Sequence, residues 1–309
     1  MNEKTKYISV MTAVFIILNT ASLCIAGEVI TDTARQWAKE AVSQEKSISS
    51  PSAGNTVAVL NFRNVSDDPA LNPLQKGFSF MLMTDLASVP GIQLVERVKL
   101  QALMQELDMG ASGIIEDAST PRMGRLLRAN YLVGGELTLP KTDDLNIGSY
   151  LWGVSGDRML GQPTARGSLK DIFDLEKKIL FEIIDQLKIS LNDEQKQKLK
   201  KPFTTSVTAL YYFSKGIDSS DRGNYRQAQI YYNKAVAADP QLGAANSARN
   251  ELMKMRLAPA KPREDAVIRT METQNSNSAS LKQNNSTFRA LNPYQIEKGH
   301  GSGQVKVSW

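Results

Sequence analysis

The sequence predicts an α/β chain: a mixed-sheet sandwich domain, then a small all-α helical-repeat module, then a disordered tail. Three observations predict it. Short β-branched apolar runs alternate with amphipathic helical patterns up to residue 200. From there the apolar spacing is helical only. After Leu257 the composition turns Pro-rich and then Ser/Asn/Gln-rich, with too little apolar surface to order itself.

Taken in order, Lys4 and Lys6 precede an apolar stretch, Ile8 to Leu18, too short to span a bilayer comfortably. Small and polar residues follow, ending in Cys24-Ile25-Ala26-Gly27, the layout of a secretory leader. Cleavage after Ala26 places Ala26 at −1 and Cys24 at −3. A lipoprotein reading would make Cys24 the lipidated first residue, but Leu23 stands where a small residue is usual. Simple cleavage is the expectation, with an uncleaved anchor as a third arrangement; each puts the folded part across the inner membrane, in the periplasm.

Residues 29–47 carry Ile30, Ala34, Trp37, Ala38 and Ala41 at helical intervals, and Ser47 to Asn55 has linker composition. Thr56 to Phe62 reads as a buried strand, Arg63 to Pro73 as a polar loop, and Leu74 to Val89 as a helix with Phe78, Leu82 and Leu86 on one stripe. Pro90-Gly91 turns the chain into a second strand, Ile92 to Val95. Helices follow at Arg97–Asp108 and Thr120–Arg128, and a third strand at Asn130–Leu139. Leu145–Val154 and Met159–Gly167 form an antiparallel pair joined at Gly156-Asp157, covered by a long helix, Leu169–Leu191, with a short one at Asp193–Lys200. The divisions are 1–26 leader, 27–55 helix and linker, 56–200 α/β domain, 201–257 helical module and 258–309 tail.

Composition excludes several chemistries. The one cysteine, Cys24, lies in the leader, and the one histidine, His300, near the tail end. Metal sites built from Cys and His, Cys or Ser/His catalysis and structural disulfides are therefore not expected, and no cofactor is. The formal net charge of +5 comes without a dense Lys/Arg run, so no nucleic-acid footprint is indicated. There is no phosphate-binding loop; Gly299, Gly301 and Gly303 alternate in the tail and not between a strand and a helix. The acidic pairs Asp67-Asp68, Glu116-Asp117 and Asp143-Asp144 read as turn or cap features. No nucleophile has an evident base beside it, and no enzymatic activity is expected.

Four segments in order carry a resemblance: VAVLNFRNVSDD (Val57–Asp68), MLMTDL (Met81–Leu86), QLVERVKLQALMQEL (Gln93–Leu107) and RLLRANYLVGGELT (Arg125–Thr138). Together they resemble the CsgG/HfaB-type curli secretion and envelope-assembly family and its TolB-N-terminal-like relatives, over about Thr56 to Leu191. Glu96 and Arg97, closing a strand and opening a helix, read as a buried or capping ion pair. Gly134 and Gly135 inside a strand imply close backbone approach or a bulge. Secretion-channel members lipidate an N-terminal cysteine and insert two long hairpins in the outer membrane. Leu139 to Leu169 has room for one short pair of strands, so the resemblance implies the periplasmic part of the family without its pore. It implies envelope or secretion/assembly proteins as partners, self-association, and peripheral attachment to the outer membrane. An outer-membrane channel subunit and a small-molecule-binding sensor domain stay as alternatives.

Ala209 to Leu242 resembles one tetratricopeptide repeat: Gly216, then Ala228, Tyr232, Ala235 and Asp239-Pro240, with Gly223-Asn224-Tyr225 at the turn. Ser219 departs from the pattern, where an aromatic residue is usual. A single repeat must lean on a neighbour, and Leu210, Phe213 and Ile217 occupy the face that lines the groove in larger arrays. They are expected to pack on the helices ending at Leu191 and Lys200, or else to meet a partner peptide or a second copy. Gln304 to Trp309 alternates and ends on an aromatic residue, a pattern of barrel ends and of short β-augmentation peptides.

Overall fold

The computed structural model describes residues 29–48, 54–109, 120–139 and 144–257. The leader with Cys24, the Glu116-Asp117 pair, Asp143 and the tail from residue 258, with His300 and Gln304 to Trp309, lie outside the described residues.

Alternating burial builds the sheet. In β1 (Thr56–Val59), Val57 and Val59 face one side while Ala58, followed by Leu60, faces the other, and all are buried. In β4 (Tyr131–Thr138), Val133 and Leu137 join the first side and Leu132 the second. Strands covered on both faces are apolar throughout, which is why these runs are continuous in sequence. β1 pairs in parallel with β3 (Gln93–Leu94) and with β4, and β4 pairs antiparallel with β5 (Asp144–Gly153). The sheet is therefore mixed, as expected, and runs in the order β3-β1-β4-β5, with β6 (Arg158–Gly161) beyond β5.

Two strands differ from expectation. The polar loop after Phe62 contributes β2 (Arg63–Asn64), which continues β1's course alongside β4. The last hairpin arm is split into β6 (Arg158–Gly161) and β7 (Thr164–Ser168). The break falls at Gln162-Pro163, where proline has no N–H for the ladder. Pro163 still accepts from the Ser149 amide, 2.8 Å. Gly134 and Gly135 sit in unbroken β4–β5 register, so close approach and not a bulge explains them. A Cβ on Gly135 would lie 2.1 Å from the Gly148 carbonyl oxygen, and one on Gly134 2.4 Å from the Tyr150 hydroxyl.

Helices cover both faces. On one lie α1 (Asp32–Ser43), α3 (Arg97–Glu106) and α4 (Thr120–Leu126), with Ala34, Ala38, Leu100, Leu103, Met104, Met123 and Leu126 buried. Thr31 caps α1 by accepting from the Ala34 amide, 3.2 Å. On the other lie α2 (Asn72–Leu86) and α5 (Ile172–Gln186), with Phe78, Met81, Leu82, Ile179, Leu180 and Ile183 buried on the sheet. A connector leads to α6 (Asp193–Leu199), which opens with a reciprocal capping box between Asn192 and Gln195.

The helical part follows as α7 (Val207–Asp221), α8 (Tyr225–Ala238) and α9 (Gly243–Lys254). Gly223 turns α7 into α8 at φ +75°, a conformation glycine adopts without a steric penalty. The helices close because Gly216 lets the Tyr232 ring approach; a Cβ there would lie 2.2 Å from that ring. Ala228, Tyr232, Ala235, Ala245, Ala248 and Leu252 complete this cluster. No helix among the described residues is long and apolar enough to cross a membrane.

Candidate interaction site

α2 has two partners. Its inner face meets the sheet, and its outer face meets α7, so the helix is buried almost all round. Gly77 makes the close contact: a Cβ there would lie 1.9 Å from the Ser214 hydroxyl and 3.3 Å from Leu210. Phe80 of α2 enters the helical cluster, edge-on to Phe213 at 4.9 Å and to Phe203 at 5.7 Å.

Leu210, Phe213 and Ile217 are thus fully buried. Leu210 joins the α/β core itself, while Phe213 and Ile217 lie in the helical cluster with Phe80. The occupant of their face is α2 of the same chain, not chiefly the helices ending at Leu191 and Lys200. The physical reason is that Gly77 and Phe80 make α2's outer face both open enough and apolar enough to receive α7.

Charges lock the same junction. Asp221, at the end of α7 and 3% exposed, accepts from Lys76 at 2.8 Å and from Arg97 at 2.9 and 3.2 Å. Its carbonyl accepts from the Gln105 amide group, 2.9 Å. Lys76 also donates to Asp218, 3.0 Å. Buried charges persist where they are paired and hydrogen-bonded, and here one carboxylate collects cations from α2 and α3. The expected Glu96–Arg97 pair is not formed. Glu96 is exposed and bonds Lys99, 2.8 Å, while Arg97 points inward to Asp221. Adjacent residues at a helix start project to different sides, so each finds its own partner.

A cleft of ≈370 Å³ opens beside this node. One wall is Asn64, Asn72 and Pro73; the other is Lys215, Arg222 and Tyr231 from α7 and α8. The first wall is rigid: Asn64 donates to Asp68 O (2.9 Å) and Asn72 Oδ1 (2.8 Å), and Gln75 Oε1 accepts from the Asn64 amide (3.2 Å). On the second, Asp218 holds Arg222 at 3.1 Å, leaving that side chain 57% exposed. Lys215 lies over Tyr231 (4.8 Å to the ring centre) and Tyr211 (5.4 Å). Partial burial works to lower its pKa, but the hydrogen bond to Tyr231 and the surrounding phenols outweigh it and hold the ammonium above its ordinary value. Tyr231 stacks on Tyr212 (6.4 Å, 19°), and Lys234 covers Tyr212 at 5.4 Å. The outer face of α7 and α8 is thus a run of cations and rings in alternation. Sequence reading missed it; the signal was Tyr211, Tyr212 and Lys215 in α7 against Tyr231 and Lys234 in α8.

A second buried polar cluster lies between α2 and α5. Lys177 bonds Asp85 and approaches Glu176 Oε2 at 3.1 Å. Burial first, and then the neighbouring Asp85 charge, push Glu176 up to about 8. Burial also raises Asp85, against the opposing pull of Lys177. Burial thus favours the protonated form of Glu176, while Lys177 bonds Asp85 beside it.

The family model for the curli production assembly/transport component CsgG matches residues 37–142. That extent starts earlier than the four motifs, taking in most of α1, and stops before β5. No curated protein sequence matches significantly. Among solved structures, the LpoB C-terminal domain from Salmonella enterica is 14% identical, with 45% of this chain and 99% of that one covered at a TM-score of 0.32. Lipoprotein GNA1162 from Neisseria meningitidis has the same identity, coverage and TM-score. TolB from Acinetobacter baumannii is 16% identical, with 45% of this chain and 29% of that one covered at a TM-score of 0.30. The stretch that the CsgG family model matches thus runs from within α1 through the parallel strands and α2 to α4, and the four motifs between Val57 and Thr138 all lie inside it.

Proposed function

We propose that this is a non-enzymatic protein of the bacterial cell envelope that acts by binding other proteins. The observation that carries the reading is the CsgG-family match over residues 37–142, a family described as a curli production assembly/transport component. The leader-like first 26 residues support an envelope location. Strands β5 to β7, which occupy residues 144–168, are all paired within the central sheet. That supports a role as an envelope adaptor, soluble in the periplasm or held at the outer membrane, beside secretion or surface-assembly components. The helical part, with its resemblance to a tetratricopeptide repeat, adds a surface for a partner, and the sheet domain one for self-association.

Expression with the native leader followed by envelope fractionation tests this. Release by osmotic shock, with an N-terminus at Gly27, is the expected result. Recovery in the cytoplasm with the leader intact would overturn the reading. Retention in the outer membrane until detergent is added would keep the envelope location and point to lipidation at Cys24.

A further inference from the structure

We propose that the cleft between the β2–α2 loop and α7–α8 binds a carboxylate on an acidic peptide segment of a partner protein, and that the tyrosine–lysine face of α7 and α8 carries the rest of that segment. The inference deepens the protein-binding reading and rests on it.

Charge is the first argument. Lys76 and Arg97 are matched by Asp221 and Asp218 below the cleft floor. Of the groups at the mouth, Arg222 shares Asp218 and keeps donors free. Lys215 has no carboxylate within ion-pair distance among the described residues, and neither does Lys234. The site is therefore left with cations in excess, facing solvent.

Preorganisation is the second. A lysine normally loses rotamer freedom when it binds. Here the Lys215 ammonium is already placed over two rings, at 4.8 and 5.4 Å, with no carboxylate in ion-pair distance among the described residues. Lys76, by contrast, is buried and saturated, so it shapes the floor and is not available to a ligand.

Size and continuity choose the peptide. At ≈370 Å³ the cleft lies at the small end of ligand pockets. It has room for an anionic group and opens onto the ring-lined face beyond it. Tyr231 is both a cleft wall and a member of the stack with Tyr212 that leads to Lys234. Tyrosine offers large, rigid contact area at low entropic cost and is enriched at protein interfaces. A single inorganic anion would use the cleft and leave this ladder untouched; an extended chain with spaced carboxylates uses Lys215, the two rings and Lys234 together.

The experiment uses the full chain, expressed with its own leader, and a fluorescent hexaglutamate peptide, with hexalysine as the charge control. Anisotropy should show salt-dependent binding of hexaglutamate and none of hexalysine. Lys215→Gln should weaken it roughly tenfold, the scale of one charge-assisted hydrogen bond, and Lys215→Gln/Lys234→Gln further, while Lys196→Gln on the exposed side of α6 leaves it unchanged. As a readout free of substitutions, hexaglutamate should protect Lys215 and Lys234 from amine acetylation in the unmodified protein. Equal weakening by Lys196→Gln, or no protection of Lys215, would overturn the site. Competition by inorganic phosphate or free glutamate at the peptide's own concentration would overturn the peptide as its occupant. Binding is read on purified protein and location by fractionation, so either reading can fail without the other.

Discussion

Arg97 and Asp221, 124 residues apart in sequence, form a buried ion pair at 2.9 Å that ties the first turn of α3 to the last turn of α7. Lys76 joins them from α2 at 2.8 Å. Removing the carboxylate takes from two buried cations a partner that both share, the costly way to break such a pair. Asp221→Ala is expected to destabilise the protein by about 3–5 kcal/mol, measured as a lower urea midpoint at unchanged slope. A loss below about 1 kcal/mol would mean that water reaches the node.

The groove-like face of α7 gives a second expectation. Phe213→Ala should cost about 3–5 kcal/mol, the usual penalty for emptying a buried aromatic site, because Phe213 fills the space beside Phe80, Phe203 and Tyr232. Loss of a partner without loss of thermal stability would show instead that this face opens in solution.

Gly77 and Ser214 should be coupled. Gly77→Ala drives a methyl group into the Ser214 hydroxyl and is expected to cost about 1–3 kcal/mol as an overpacking change. Ser214→Ala removes that oxygen, so the double variant should recover part of the loss. A double-mutant cycle measures it; strict additivity would place the two helices farther apart than they are described.

Glu176 makes stability depend on pH. Its folded pKa is raised from 4.5 to about 8. Its contribution is therefore complete below about 4.5 and is lost as the pH rises through 8. Asp85, also raised, acts with the same sign. The chain holds one histidine, so few other side chains titrate in that window. Melting temperature should fall between pH 5 and 9, by on the order of a few kcal/mol of stability, and Glu176→Gln should flatten the slope. A flat profile in the parent would mean that Glu176 is ionised throughout.

Much of the sheet was legible because its signals are local. Val57 to Leu60 and Leu132 to Val133 are apolar on both sides since both faces are covered, and a glance along the chain finds them. The split between β6 and β7 also had a local mark, Pro163, which the reading passed over. The junction was not legible. Arg97 sits beside Glu96 in sequence and finds Asp221 only in space. Reading α2 as a helix with one buried stripe missed its second apolar face; the run FSFMLM at Phe78–Met83 is the mark of a helix covered all round. Glu176, a carboxylate on the inner stripe of α5, was likewise visible as a misplaced charge whose partner could not be named.

The placement of α2 also sets a clock. Lys76 is made 145 residues before Asp221. At 5–20 residues per second, the ribosome needs on the order of ten seconds or more to deliver the helix that covers it. Throughout that interval Phe80 and the rest of α2's outer face stand bare on the nascent chain, offering a window in which a holding chaperone can keep the protein loose.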